Sequence, residues 1–127
     1  MGRHRLPRCQ EACLAAGAQH LRDSAVLKSM LLEQAEAGCI VAAVCASPAV
    51  VLATHGLLGA RSTCYPADPF KEKLGEWTDA AVVVDGSVIT SQGPGTSLQF
   101  ALKIVEVLYD SSKAEEVAAP LLTTCLP

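Results

Sequence analysis

No Asp, Glu, Lys or Arg stands between Glu36 and Arg61, and no histidine follows His55. The second absence excludes a Cys-His-acid triad of the glutaminase kind, whose histidine comes late in the chain. Basic runs are also missing. Beyond the scattered Arg3, Arg5 and Arg8 nothing offsets a net charge of −3, which excludes nucleic acid as a partner. A secretory apolar segment is absent near the start, so the six cysteines (Cys9, Cys13, Cys39, Cys45, Cys64, Cys125) read as reduced thiols in an intracellular compartment. Cys9 and Cys13 have no second cysteine pair, and His4 and His20 are not at finger spacing, so no metal site is expected. Leu6 stands where a myristoylation signal needs Ser or Thr after Met1-Gly2. Aromatics are only 4 % of residues, so any core is aliphatic.

What is present is a 127-residue chain, half of it hydrophobic, enough for one soluble α/β domain. The uncharged stretch is long enough to span a bilayer. Ser47-Pro48 and His55-Gly56 break it, however, and its β-branched first part gives way to an Ala/Leu-rich second part. A buried strand followed by a buried helix accounts for that change, and no membrane partner is expected.

Residues 1–16 show no period and read as a tail. Asp23 can cap a helix with Val26, Leu27, Met30 and Leu31 on one face, stopped at Gly38. "CIVAAV" reads as a buried strand of the parallel-sheet kind. Ser47 is an N-cap candidate and Pro48 suits a first helical turn, giving a short helix over 48–54. "ARSTCY" reads as a short strand and "PFKEKL" as a helix, while "AAVVVDGSVITS" reads as a hairpin turning at Asp85-Gly86. After the Gly-Pro-Gly loop, Thr96 and Gln99 form a capping box for a helix with Phe100, Ile104, Val107 and Leu108 on its apolar face. A last capped turn covers Ser112 to Glu115.

Cys45 falls where the buried strand turns into the helix. Open α/β sheets place their sites at this carboxyl edge, and a serine elbow uses the same geometry. Ala43, Ala46 and Ser47 are small enough for a sharp turn, and backbone N–H groups after Cys45, Ala46 first, could hold an oxyanion. A cysteine in this setting feels the positive end of the following helix, which favours the reactive thiolate. The plain alternative is a small apolar residue in a packed segment. Cys39 and Cys64 read as core, and His55, at the far end of the short helix, as structural.

The stretches "GAQHLRDSAVLKSMLLEQ", "IVAAVCASPAVVLATHGLL", "VDGSVITSQGPGTSLQFALKIVEVL" and "APLL" resemble the ThiJ/PfpI superfamily, specifically its DJ-one (deglycase) branch, with a plant-like "CYP". The resemblance covers about residues 17–122. It implies a flavodoxin-like three-layer α/β sandwich, related to class I glutamine amidotransferases, with Cys45 as the reactive cysteine. It further implies cofactor-free conversion of methylglyoxal or glyoxal, protein deglycation, oxidant sensing, chaperone-like behaviour, homodimers, and a cytoplasmic location with nucleus or plastid as alternatives. Tyr65, Gly93, Pro94 and Gly95 are near-site residues by the same comparison. Ala46 stands where the protease branch has histidine, which disfavours proteolysis. Tyr65 replaces a histidine and Gln92 an arginine found in many members, and the family's activating glutamate and L-P-G-G loop are not found.

The expectation is therefore a tail, 1–16, from an alternative first exon or an out-of-frame reading, followed by the C-terminal portion of such a domain, 17–127, lacking its first strands. A sheet edge and an apolar face would stand uncovered, giving poor solubility or dependence on a partner.

Overall fold

The computed structural model describes residues 9–126. The readings placed on Met1-Gly2, Arg3, His4, Arg5, Leu6 and Arg8 lie outside them, as do the side chains of Cys9 and Cys13.

Helix α1, Cys9–Asp23, begins inside the stretch read as a tail. Ala12, Ala15, Ala16 and Ala18 explain why: alanine favours helix without any amphipathic period. Helix α2, Ala25–Glu36, is capped by Ser24, whose hydroxyl accepts from the Leu27 N–H, and not by Asp23, which ends α1 and pairs with Arg22. Its expected apolar face is only half used, because Val26 and Met30 are exposed while Leu31 packs against Val41 and Ala43.

Strand β1, Val41–Val44, leads into a five-residue π-helical turn, Pro48–Leu52, that is buried throughout. Ser47 has helical dihedrals and makes no capping bond. Then come β2 (Arg61–Ser62), α3 (Asp68–Lys71), β3 (Glu76–Trp77), and the hairpin β4 (Val82–Asp85) with β5 (Val88–Ser91). The hairpin loop is Gly86-Ser87, one residue later than the sequence suggested. Gly86 takes φ 60 and no other loop residue is left-handed, the pattern of a turn with glycine at its first central position. A 3-10 turn, Pro94–Thr96, opens α4 (Ser97–Leu108), and α5 (Ser111–Ala118) follows, capped by Asp110 through the Lys113 N–H. On α4 it is Leu102 that is buried, whereas Val107 and Leu108 are exposed.

The main sheet has the order β1-β5-β4, with β1 parallel and β4 antiparallel to β5. β5 is therefore central, and Ile89 and Ser91 are fully buried. On one side α2 and the π-helical turn pack against Val41 and Ala43, and on the other α4 crosses all three strands, giving an α–β–α order. A second parallel pair, β2 with β3, joins the sheet through side chains: the Arg61 N–H donates to the Asp85 carboxylate at 2.9 Å and the Thr63 N–H to Thr90 Oγ1 at 3.0 Å.

Gly59 makes the first of these joints possible. A Cβ there would fall 2.8 Å from Asp85 Cγ, and that carboxylate is held by Arg61 and cannot swing aside freely. Gly59→Ala is expected to break the Arg61–Asp85 bond and cost about 1–3 kcal/mol, read as a lower midpoint in thermal unfolding.

The outer edge of β1 pairs with no strand among the described residues. Gln34 Nε2 caps the Ile40 carbonyl at 3.2 Å, but the exposed Ala42 faces outward. Beside it lies an apolar groove of about 310 Å³ lined by Leu21, Leu27, Leu31, Val44 and Phe100. No helix among the described residues is long and apolar enough to cross a membrane.

Candidate functional site

Cys45 is the last step out of β1, and its φ is 66, a left-handed value that non-glycine residues adopt rarely and at a cost of roughly 1–3 kcal/mol. Two backbone bonds hold it there. The Cys45 N–H donates to the Ser91 carbonyl at 3.1 Å, and the Cys45 carbonyl accepts from the Tyr65 N–H at 2.8 Å. The strained residue is thus clamped between the end of β5 and the chain leaving β2. The next residue, Ala46, is buried, and among the described residues no carbonyl or side chain takes its N–H. The helix that follows is one short turn, so its end field comes from only a few peptide units.

The sulfurs of Cys39 and Cys64 each donate to a carbonyl, at 3.9 Å and 3.3 Å. That of Cys45 takes part in no hydrogen bond among the described residues, and the side chain is half-buried. Cys39 is exposed and not in the core, because the chain between α2 and β1 runs over the surface. Cys64 is fully buried against Ala49 and Leu74. His55 lies away from the turn, its Nε2 3.1 Å from the Arg22 carbonyl, so it ties α1 to the loop after the π-helical turn.

Tyr65 is brought directly to Cys45 through the backbone, and its ring stands edge-on to Phe70, with centroids 6.4 Å apart. The ring's Cδ2 is 3.8 Å from where a Cβ on Gly93 would sit, so Tyr65 and the buried Gly93 form a continuous wall. Pro94 and Gly95 form the exposed crest of the same turn, one step farther out. Gln92 reaches Asp79 at 3.1 Å.

Thr96 does something the sequence did not suggest. Instead of capping α4, its hydroxyl turns back and accepts the Gln92 and Gly93 N–H groups at 3.3 and 3.1 Å. It also lies 2.6 Å from Ser91 Oγ, which donates to the Ala81 carbonyl at 2.7 Å. The Thr96 hydroxyl itself donates to the Gly93 carbonyl at 3.0 Å. One hydroxyl thereby fixes the loop behind Tyr65. Thr96→Val, isosteric but without the hydroxyl, is expected to cost about 1–3 kcal/mol in denaturant unfolding, while Thr96→Ser keeps most of it.

Burial, first, and the nearby Cys45 thiolate, second, push the Cys64 thiol from 9.0 up to about 11, with Lys71 pulling the other way. A raised thiol pKa means the folded state holds its proton longer. The stabilisation is complete below about pH 9 and is lost as pH rises toward about 11. Unfolding free energies measured across that window are expected to fall more steeply for the wild type than for Cys64→Ala.

The DJ-1/PfpI family model matches residues 15–107. The chain belongs to the DJ-1/PfpI family. It is similar to the Parkinson disease protein 7 homolog of Danio rerio, 43% identical over 110 residues covering 84% of this chain and 58% of that protein. It is similar also to the glutathione-independent glyoxalase DJR-1.2 of Caenorhabditis elegans, 39% identical over 109 residues, 83% of this chain and 57% of that protein. Oxidized DJ-1 of Toxoplasma gondii superposes with a TM-score of 0.79 at 43% identity, covering 84% of this chain and 58% of that one. The fold is the flavodoxin-like α/β fold of that DJ-1 structure, and the chain spans little more than half the length of each of these three proteins.

Proposed function

We propose that this DJ-1-type chain carries out cysteine-dependent, cofactor-free detoxification of reactive carbonyls, of the glyoxalase or protein deglycase kind, with small aldehydes such as methylglyoxal and glyoxal as substrates. The observation that carries the reading is the left-handed Cys45, clamped at the carboxyl end of a parallel strand with its sulfur unbonded. Strain of this kind survives where the surroundings over-determine it, and it aims a side chain that a relaxed turn would not. The relative from Caenorhabditis elegans is named as a glutathione-independent glyoxalase, which agrees with this chemistry.

In the proposed reaction the Cys45 thiolate adds to the aldehyde carbon, and the carbonyl electron pair moves onto oxygen, which the Ala46 N–H would stabilise. Proton transfer from the aldehyde carbon to its neighbour then converts the hemithioacetal into a thioester of the hydroxy acid, and water releases the acid and restores the thiol. A base must carry that proton. No carboxylate bonds the Cys45 sulfur among the described residues, so turnover is expected to be slower than in relatives with an acidic partner. The test is lactate formation from methylglyoxal by the purified chain, compared with Cys45→Ala: lactate dependent on Cys45 supports the reading, and equal rates in the two refute it.

The unassisted thiol also favours a second reading, a non-enzymatic redox-responsive or chaperone-like protein acting through Cys45 oxidation. No turnover, together with peroxide modification confined to Cys45, would select it.

A further inference from the structure

We propose that Cys64 is the resolving thiol for Cys45, so that mild peroxide closes an internal Cys45–Cys64 disulfide. The inference rests on the reading of Cys45 as the oxidisable thiol and adds a partner to it. Both thiols are free. The peptide joining Cys64 to Tyr65 donates its N–H to the Cys45 carbonyl at 2.8 Å. A hydrogen bond of this kind holds neighbouring extended backbones at the ~4.8 Å strand spacing, within the roughly 4.4–6.8 Å Cα separation that a disulfide spans. Cys64 packs against Ala49, which stands on the π-helical turn that Cys45 leads into, so the buried sulfur lies beneath that turn.

Burial gives the pair its division of labour. Cys64 is shielded from solvent oxidants, while Cys45 is half-exposed. In the first step the Cys45 thiolate attacks peroxide: the O–O bond breaks, one oxygen stays on sulfur as sulfenic acid, and the other leaves as water after taking up a proton. The sulfur loses two electrons and the peroxide gains them. In the second step Cys64 attacks the sulfenic sulfur, the S–S bond forms as S–O breaks, and hydroxide leaves with the Cys64 proton as water. The held proton on Cys64 makes this second step the slow one, so excess peroxide is expected to overtake it and drive Cys45 on to sulfinic acid.

The experiment treats the reduced full chain with one equivalent of hydrogen peroxide, blocks remaining thiols by alkylation, and maps peptides without reduction. A Cys45–Cys64 linked peptide that dithiothreitol reverses is expected. In Cys64→Ser, the same dose is expected to leave severalfold more Cys45 as sulfinic acid, which dithiothreitol does not reverse. The wild-type map alone overturns the proposal if Cys45 is oxidised while Cys64 is recovered alkylated, or if Cys45 is linked to Cys39 or Cys125 instead. If Cys45 itself stays reduced, the underlying reading of Cys45 fails and the pairing fails with it.

Discussion

Cys45→Gly is expected to abolish carbonyl turnover and to raise thermal stability in the same molecule. Loss of the sulfur removes the nucleophile, a decrease of at least about 100-fold in lactate formation. The gain comes from the backbone. At φ 66 a side-chain Cβ crowds the following carbonyl, and glycine removes that crowding. Relief of roughly 1–2 kcal/mol is set against the roughly 0.5–1 kcal/mol that glycine loses in unfolded-state entropy, leaving a net gain of up to about 1.5 kcal/mol. Cys45→Ala separates the two effects, because it keeps the Cβ: activity is lost without any gain in stability. A glycine variant less stable than the alanine variant by the full roughly 0.5–1 kcal/mol of glycine's entropy would show that the turn stores no strain.

Ile89→Ala is expected to be the most damaging core substitution of those considered. Ile89 is fully buried at the middle of the central strand, with β1 on one side and β4 on the other, opposite Ala42 and Val84. Deleting its branched chain removes apolar burial and leaves a cavity that two flanking strands cannot easily close, a cost of about 2–5 kcal/mol. Small domains are stable by only about 5–15 kcal/mol, so much of the total is at risk. Urea unfolding is expected to show a lower midpoint with an unchanged slope, and Ile89→Val a loss of only about 0.5–1.5 kcal/mol.

Much of this architecture is legible in the residues. "CIVAAV" reads as a buried strand, and β1 takes Val41–Val44 of it with Val41 and Ala43 buried but Cys39 and Ala42 exposed, while the Asp85-Gly86 signal marks the hairpin to within one residue. The same pattern placed Cys45 at a strand exit, and the four stretches of resemblance pointed to the family. Other features are invisible because they depend on residues distant in sequence. The two-residue β3 exists because Glu76 and Trp77 lie beside Arg61 and Ser62, and nothing local in "GEW" announces a strand. Gly59 needs to be small only because Asp85 comes to rest on it. Thr96 could satisfy either α4 or the loop behind it, and Ser91 and Gly93 decide in favour of the loop. The left-handed backbone at Cys45 is likewise set by Ser91 and Tyr65, far away along the chain. Helix faces were misread for a related reason: Val26, Met30, Val107 and Leu108 have the right spacing, but no described element covers them.

The central claim is that geometry, and not mere exposure, makes Cys45 the reactive thiol. Cys39 is the more exposed of the two. The direct measurement is therefore competitive alkylation of the folded chain with limiting iodoacetamide, quenched over time and read by peptide mapping. Modification of Cys45 ahead of Cys39, with the order lost on unfolding in urea, is the predicted result; Cys39 reacting first in the folded chain would contradict it.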